Sequence, residues 1–311
     1  MIVTVTLNPC IDRTCMIRTL KVGGMNRIVT DRRDVSGKGI NVSLALSQNG
    51  VPVRTCGLLY RGGSELFMTS LRSLGIDYDN IVVDGSIREN IKLWDRDTDV
   101  TTEVNQFGAF VSSEAWQAFK AFFLEYVEGA DLAVLSGSVP KGLPDTAYRE
   151  LIELASGKSV PCILDAEGPL LQEGLKAHPL LIKPNEYEFD TAFHPENPEL
   201  ETIIGRAQEV VGEGCCRYIC ITLGKRGALM VSEAGAWYCR TPDVDIKCTQ
   251  GAGDSMVAGI AMAYERGLDE GQMLSYGVAM AAGTLSREGT QMCLGQDFER
   301  ILPMVKAEKL L

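Results

Sequence analysis

The sequence predicts an α/β fold with a central, mostly parallel sheet and a small, discontinuous β lid. Short apolar runs without polar alternation are typical of strands buried on both faces. Stretches with helical periodicity alternate with these runs, which favours strands joined by crossover helices. Two polar segments, at about 11–35 and 86–107, interrupt this alternation. With 311 residues, of which 45% are apolar, the chain can bury a large core, and we expect one domain over 1–311.

The predicted elements follow one another in the order that a parallel sheet requires. The apolar runs predict strands at 3–7, 53–59, 132–136, 162–165, 180–183, 218–223 and 228–232. The helical periodicity predicts helices near 40–49, 64–74, 113–128, 145–157, 200–212, 255–266 and 272–285. The segments 11–35 and 86–107 instead hold alternating strands, such as "CMIRTLKV" and "VTTEVNQ", with no helix between them. We therefore expect these two segments to form the lid, a second and smaller sheet.

The composition argues against several classes of protein. A formal net charge of -11 and a pI near 4.8 disfavour nucleic acid or an anionic membrane as a partner. The longest apolar runs are strand-sized, far below the roughly 20 residues that a membrane-spanning helix needs. The amino-terminal "MIVTVTLNP" lacks the basic lead of a signal peptide. We therefore expect a cytoplasmic protein.

The cysteines and histidines predict neither a disulfide framework nor a structural metal site. The ten cysteines form no CxxC pair and mostly lie within apolar runs, where cysteine behaves as a small core residue. The two histidines, His178 and His194, lack the spacing of a metal-binding pair.

Polar loops follow five of the predicted strands. They are "LNPCID", "LSGSVPKG", "LDAEG", "KPNEYE" and "TLGKRG". Because parallel α/β sheets bind ligands at the carboxyl ends of their strands, these loops predict one shared crevice. The common nucleotide-binding motifs are not found in the sequence. Lys38 is followed by Gly39 rather than by Ser or Thr, and Met256 stands where GxGxxG needs its third glycine.

The stretch "CTQGAGDSMVAG" at 248–259 places an acid and closely spaced glycines at the start of a predicted helix. Asp254 could simply be the N-cap of that helix, because Asp is a frequent cap. Alternatively, its carboxylate stands beside backbone amides that attract an anion, which would give it a chemical role. The stretch alone leaves both interpretations open.

Five stretches together resemble one family. "TLNPCID" near the start, "SGKGINVS" at 36–43, "KPNEYE" at 183–188, "TLGKRG" at 222–227 and "GAGDSMVAG" at 251–259 are similar to the phosphofructokinase-B branch of the ribokinase superfamily. The first stretch, with "IRENIKL" and "TEVN" between 87 and 105, is most similar to its 1-phosphofructokinase and tagatose-6-phosphate kinase subgroup. The resemblance covers essentially the whole chain and implies a ribokinase-like three-layer sandwich.

The resemblance implies an ATP- and Mg²⁺-dependent kinase of a ketohexose phosphate. The expected reaction converts fructose 1-phosphate to fructose 1,6-bisphosphate, and tagatose 6-phosphate is the alternative acceptor. Asp254 would be the general base. The amides of Gly251, Ala252 and Gly253 would form an anion hole for the transferred phosphoryl group.

Two rival functions belong to other classes of protein. One is a non-catalytic regulator that binds a sugar or nucleotide on the same fold, against which the intact Asp254, Asn185 and Glu188 argue. The other is an NAD-dependent oxidoreductase, which the missing third glycine disfavours.

The resemblance also assigns residues to the sugar phosphate. Asp12 would hydrogen-bond the sugar hydroxyls. The glycine stretch would add the sugar-binding residues Gly37, Lys38 and Asn41. A phosphate already on the acceptor needs local cations in an acidic protein, and the candidates are Arg27, Lys38, Arg88 and Lys92. The chain departs from the usual family residues at Cys10, at Ser36 and at Gln250, where a small or branched apolar residue is usual.

A further set of residues is implied for the nucleotide and the metal ion. The nucleotide-binding candidates are Lys183, Asn185, Thr222, Gly224 and Gly227. Asn185 and Glu188 resemble an NxxE motif whose Glu positions Mg²⁺, usually through water, as suits an ion that keeps part of its hydration shell. The alternative is that Pro184 starts a helix and Glu188 is an ordinary acid of its first turn.

The lid also predicts an assembly. Exposed strand edges invite pairing, and kinases of this family often dimerise through the lid. We therefore expect a homodimer built on the segments 11–35 and 86–107.

Overall fold

A computed structural model describes residues 1–194 and 199–310, and its strands form two separate sheets. In chain order the strands are β1 (Ile2–Thr6), β2 (Cys10–Ile17), β3 (Thr30–Ser36), β4 (Val53–Gly62), β5 (Tyr78–Ser86), β6 (Arg88–Asp95), β7 (Val100–Asn105), β8 (Leu132–Ser136), β9 (Cys162–Asp165), β10 (Leu181–Ile182), β11 (Tyr218–Thr222), β12 (Ala228–Ser232), β13 (Gly235–Cys239) and β14 (Glu308–Lys309).

The larger sheet has ten strands in the order β14-β13-β12-β11-β10-β9-β8-β1-β4-β5. From β11 to β5 every neighbouring pair is parallel, whereas β12, β13 and β14 extend one edge antiparallel. Strands β1, β8 and β9 are buried along their whole length, as continuous apolar runs predict. The predicted α/β fold with a mostly parallel central sheet is confirmed.

Helices connect these strands. In chain order they are α1 (Lys38–Gln48), α2 (Ser64–Ser73), α3 (Ser113–Tyr126), α4 (Ala147–Gly157), α5 (Gly168–Leu175), α6 (Glu186–Phe193), α7 (Leu200–Gly212), α8 (Ala252–Glu265), α9 (Glu270–Leu285) and α10 (Gly295–Ile301). Helix α8 packs between α1 and α9. Gly259 permits the close approach to α9, because a Cβ there would lie 2.4 Å from the Tyr276 carbonyl oxygen. These contacts fix the helix that carries Asp254.

The apolar runs and the helical periodicity do not predict six of the elements, namely β5, β13, β14, α5, α6 and α10, and the start of α6 is anticipated only by the alternative interpretation of Glu188. Strand β5 closes one edge of the large sheet and is partly exposed, so it lacks a continuous apolar run. Helices α5, α6 and α10 have only 8, 8 and 7 residues, which is too short for a 3.6-residue period to stand out.

The second sheet, here called the small sheet, has the strand order β3-β2-β6-β7. Two antiparallel hairpins, β2–β3 and β6–β7, are joined by parallel pairing of β2 with β6. Asp12 lies opposite Asn90, and Lys92 lies opposite Glu103. Cross-strand neighbours share one face of a sheet. That face of the small sheet reaches the segment before α8, where its Lys92 contacts Gln250.

Two further observations bear on the class of protein. In residues 1–194 and 199–310, none of the helices combines the length and the apolar character that a membrane crossing requires. The ten cysteines are free thiols, and all but Cys215 and Cys248 are buried, which fits a role in core packing.

Candidate active site

Asp254 lies in the first turn of α8, three positions beyond the N-cap residue. Gly251 occupies the N-cap position with φ of 74°, and no side chain caps the helix. The Asp254 carboxylate instead accepts a hydrogen bond from Asn41 Nδ2 at 2.7 Å. The hypothesis that Asp254 is simply an N-cap is therefore wrong.

The surroundings of the Asp254 carboxyl raise its pKa. Burial raises its pKa to about 6, and the nearby Asp165 carboxylate acts in the same direction. The positive charges of Lys38 and Lys183 and the hydrogen bond from Asn41 offset part of this shift. A carboxylate with such a pKa is ionised at neutral pH and is a stronger base than an ordinary Asp. It is suited to accept a proton from a hydroxyl in the crevice.

The glycines before Asp254 leave the first turn of α8 open to an anion. The first amides of a helix have no intrahelical partner and carry the positive end of the helix dipole. A Cβ on Gly253 would lie 3.7 Å from Lys183 Nζ, and a Cβ on Gly251 would lie 2.5 Å from Met292 Cε. At Gly251 the φ of 74° disfavours any residue with a side chain. At Gly253 the backbone lies next to the Lys183 ammonium group. The amides of the first turn and this cation can therefore contact the same anion.

Asp165, the last residue of β9, is the charge centre of the site. Its Oδ2 lies 3.2 Å from Lys38 Nζ and accepts a hydrogen bond from Ser136 Oγ at 2.9 Å. Its Oδ1 lies 3.3 Å from Lys183 Nζ. Burial opposes ionisation, but Lys183 and Lys38 outweigh it and hold the pKa of the carboxyl at about 2. Asp165 is therefore an anion fixed between two cations.

Sequence reasoning names the loop that contains Asp165 but misses the residue itself. The available signal is an acid at the end of a strand that is otherwise apolar. A carboxylate that is only 1% exposed must have a compensating partner. Here the partners come from α1 and from the segment after β10, which the local sequence around Asp165 does not reveal.

The glycine stretch at the start of α1 supplies a hydrogen-bond partner to Asp165 and another to Asp254. Gly37 is the N-cap of α1 with φ of 142°, and a Cβ there would lie 2.7 Å from Thr6 Cγ2. Lys38 and Asn41 are one helical turn apart, so one meets Asp165 and the other meets Asp254. Asp165, partly opposed by burial, raises the pKa of the Lys38 ammonium. The Lys38 side chain is 42% exposed and so also reaches the open crevice.

A second polar cluster lies on the small sheet. Asp12 accepts hydrogen bonds from Asn90 Nδ2 at 3.0 Å and from Lys92 Nζ at 2.8 Å. Lys92 also donates to Gln250 Oε1 at 2.7 Å. The side chains of Asp12 and Lys92 are both 8% exposed. Because Asp12 already compensates the charge of Lys92, this arrangement does not support Lys92 as a ligand for a substrate phosphate. Lys92 instead orients Asp12.

Arg88 adjoins this cluster without an acidic partner. Its Nη1 donates to Asn90 Oδ1 at 2.9 Å, and its Nε and Nη2 donate to the Asn8 carbonyl at 3.3 and 3.2 Å. Within the described chain its partners are all uncharged, the remaining one being the carbonyl of Gln106. Arg27 lies apart, exposed on the connection between β2 and β3. The structure therefore brings Arg88, but not Arg27, next to Asp12.

Asn185 and Glu188 form a capping box at the start of α6. Asn185 Oδ1 accepts from the Glu188 amide, and Glu188 Oε2 accepts from the Asn185 amide, both at 2.8 Å. The sequence therefore has a complete helix-start explanation for both residues. The Glu188 carboxylate nevertheless lies close enough to raise the pKa of Lys38. Across residues 1–194 and 199–310, no group of three or more His, Cys, Asp or Glu side chains could hold a metal ion.

The nucleotide candidates after β11 differ in what their backbone requires. Thr222 pairs with Asn185 in an isolated parallel bridge, so both lie at the same edge as Lys183. Gly224 has φ of 58° and open space where a Cβ would stand, whereas a Cβ on Gly227 would lie 2.0 Å from the Cys239 carbonyl oxygen. Packing against Cys239 thus explains the glycine at 227 without a nucleotide.

Comparison with known proteins places this chain among carbohydrate kinases. The family described as pfkB family carbohydrate kinase matches residues 5–297. A 1-phosphofructokinase of Haemophilus influenzae is 33% identical over 288 residues, which cover 92% of this chain and 91% of that protein. A 1-phosphofructokinase of Bacillus subtilis is 30% identical over 312 residues, with 100% of both chains covered.

A solved structure gives the same result for the fold. The crystal structure of phosphofructokinase-2 from Escherichia coli in complex with potassium superposes with a TM-score of 0.92 at 25% sequence identity. The match covers 97% of this chain and 98% of that one.

Proposed function

This chain belongs to the pfkB family of carbohydrate kinases and is a sugar phosphate kinase, and we propose that it transfers the γ-phosphoryl group of ATP to fructose 1-phosphate. The observation that carries the proposal is the buried Asp254 carboxylate beside the open first turn of α8 and Lys183. Phosphoryl transfer to an alcohol requires a base at the attacking hydroxyl and an anion-binding site for the transferred phosphoryl group, both close to the same phosphorus.

In the proposed reaction, Asp254 accepts the proton of the acceptor hydroxyl while that oxygen forms a bond to the γ-phosphorus. The bond from the γ-phosphorus to the β–γ bridging oxygen breaks, and ADP leaves with the electron pair. The amides of Gly251, Ala252 and Gly253, together with Lys183, meet the negative charge of the moving group. Removing one such donor typically costs about 3 kcal/mol of transition-state stabilisation.

We propose that Arg88 anchors the phosphate that the acceptor already carries. The protein has a net charge of -11, so an arginine whose described partners are all uncharged is a notable local cation. A bond chain from Arg88 through Asn90 to Asp12 puts this cation next to the residue proposed to bind sugar hydroxyls. Charge-assisted bonds to phosphate are worth about 1.5–3 kcal/mol each.

An ADP-release assay tests the substrate class. We expect turnover with fructose 1-phosphate and much less with free fructose. Replacing Arg88 by Ala should raise KM for the sugar phosphate by about one to two orders of magnitude and leave KM for ATP nearly unchanged. Arg13→Ala is the matched control, because Arg13 lies on β2 and is paired with Asp31.

Each outcome of that assay has a distinct meaning. A preference for tagatose 6-phosphate would keep the reaction and change the acceptor. Equal use of free fructose, with no effect of Arg88→Ala, would refute the sugar-phosphate assignment.

The nucleotide and its metal ion belong to the edge formed by Lys183, Asn185, Thr222 and Gly224. We propose that ATP lies along these residues and that Mg²⁺ is held there through water, with Glu188 supplying the carboxylate. One Glu188 oxygen is used by the capping box, which leaves the other for a hydrated ion. When bound, Mg²⁺ would neutralise phosphate charge. A cytoplasmic location stays a prediction.

Replacing Glu188 by Gln separates the metal role from the capping role. Gln can complete the same capping box, so the thermal midpoint should hardly change. Loss of the charge should raise the Mg²⁺ concentration for half-maximal rate several-fold. Glu186→Gln is the control, since Glu186 lies on the same helical turn and pairs with Arg226. An unchanged Mg²⁺ titration would leave Glu188 as a helix-start acid only.

We propose that two copies associate through the small sheet. Strand β7 is exposed along its whole length, and its Val100 and Val104 are 56% and 54% exposed. The connection between β2 and β3, at the other side of the small sheet, exposes Met25 and Val29. Apolar side chains on an unpaired edge strand favour pairing with another chain. Sedimentation equilibrium at micromolar concentration should give a dimer, and a monomer would contradict the assembly.

A further inference from the structure

Gln250 connects the small sheet to the first turn of α8. Its Oε1 accepts a hydrogen bond from Lys92 Nζ at 2.7 Å, and its Nε2 donates to Glu103 Oε1 at 3.2 Å. Lys92 and Glu103 are cross-strand neighbours on β6 and β7, so one amide side chain bridges two strands. The next residue along the chain is Gly251, the N-cap of α8.

The chemistry of the bridge explains why an amide stands at 250. Lys92 can only donate and the Glu103 carboxylate can only accept, so their common partner must do both. A carboxylate at 250 would repel Glu103, and an ammonium would repel Lys92. A small or branched apolar residue at 250 would make neither bond. Gln250 is therefore matched to the small sheet of this particular chain.

The segment that enters α8 has few other anchors. Between the end of β13 and Gly251, backbone amides of Lys247 and Cys248 donate to the Leu285 carbonyl at 2.8 and 3.3 Å. Those bonds fix the segment on the side of α9. Gly251 then turns the chain with a positive φ, and Gln250 is the residue before this turn whose side chain the small sheet holds.

We propose that Gln250 is a positioning residue that couples the small sheet to the anion-binding turn of α8. The bond chain from Asp12 through Lys92 to Gln250 would set the distance between a sugar held at Asp12 and a phosphoryl group held at 251–253. This inference rests on the proposed function. Phosphoryl transfer is sensitive to such placement, because a shift of about 1 Å can cost about a hundredfold in rate.

Replacing Gln250 by Leu removes both bonds at nearly constant volume. We expect kcat to fall by about ten- to a hundredfold, while KM for ATP and the thermal midpoint stay close to the wild-type values. A residue needed only for folding would lower the midpoint instead. Wild-type kcat in Gln250→Leu would overturn the inference.

A double-mutant cycle with Glu103→Ala sharpens the test, and its Glu103→Ala single variant does not depend on the folding of Gln250→Leu. Glu103 lies on the exposed edge strand β7, so the single variant should fold and lose part of kcat. In the Gln250→Leu background, Glu103→Ala should add little, because the shared bond is already gone. Thr102→Ala, on the opposite face of β7, is the control. Additive losses, or a Glu103→Ala variant equal to the control, would contradict the coupling.

The outcome distinguishes this inference from the proposed function. If the wild type phosphorylates a sugar phosphate and Asp254→Asn is inactive, but Gln250→Leu and Glu103→Ala are normal, only the coupling fails. If the wild type phosphorylates no sugar phosphate, the proposed function fails first and the coupling with it.

Discussion

Asp254→Asn should lower turnover by about two to four orders of magnitude while ATP binding is retained. Asparagine keeps the shape and can still accept the hydrogen bond from Asn41, but it cannot take up a proton. The wild-type kcat/KM should rise with pH through about 6, the pKa of the Asp254 carboxyl, because only the ionised form is a base. The variant should lack this rise in its residual activity. Near-normal turnover in a folded variant would end the catalytic assignment.

The same variant should be more stable than the wild type at neutral pH. Because the pKa of Asp254 is raised from 3.8 to about 6, this group's favourable contribution is complete below 3.8 and is lost as pH rises through 6. The shift of about two units corresponds to about 3 kcal/mol of unfolding free energy. Asparagine carries no such penalty, so its thermal midpoint at pH 8 should exceed that of the wild type. This gain would exclude misfolding as the cause of lost turnover.

Asp165→Asn should damage both stability and activity. It leaves Lys183, which is 6% exposed, without its carboxylate, and breaking a buried pair in this way typically costs about 3–5 kcal/mol. The Asp165 charge also helps to raise the pKa of Asp254, so the acid limb of the pH–rate profile should move to lower pH. Chemical denaturation and the pH profile measure the two effects separately.

A second substitution separates structure from chemistry at this position. The double variant Asp165→Asn/Lys183→Met removes both charges of the buried pair, so most of the unfolding free energy should return. Activity should stay low, because Lys183 lies beside the anion-binding turn. A double variant with restored activity would limit both residues to a structural role.

The sequence predicts the architecture of the site better than its internal pairing. Buried strands such as β8 and β9 can be predicted from the sequence because strands of a parallel sheet have continuous apolar runs. Asp254 can be identified as a candidate site residue because glycines, an acid and a helix start are adjacent in the chain. The pairing of Asp12 with Lys92 spans 80 residues and depends on the register between β2 and β6. No local pattern specifies that register.

The same limit explains the residues for which the structure offers a second interpretation. The sequence predicts Lys92 as a cation for the acceptor phosphate, and only the register shows that Asp12 is its partner. The spacing of Asn185 and Glu188 is that of a capping box as well as that of a metal motif, so the sequence serves both interpretations equally. Gly227 reads as a phosphate-loop glycine, but the close Cys239 backbone that requires it belongs to a neighbouring strand.

The parallel pairing of β2 with β6 also determines when the small sheet can assemble. Along the chain β2 and β6 are separated by β3, α1, β4, α2 and β5, so closing their contact costs loop entropy until the strands of the large sheet have paired. We therefore expect the small sheet to form last and to open first, so that its amides exchange with solvent while the large sheet stays closed. A ligand that contacts both Asp12 and Asp254 should stabilise the closed form of the small sheet. Sugar phosphate should consequently slow hydrogen exchange in β2 and β6 before it affects any strand of the large sheet.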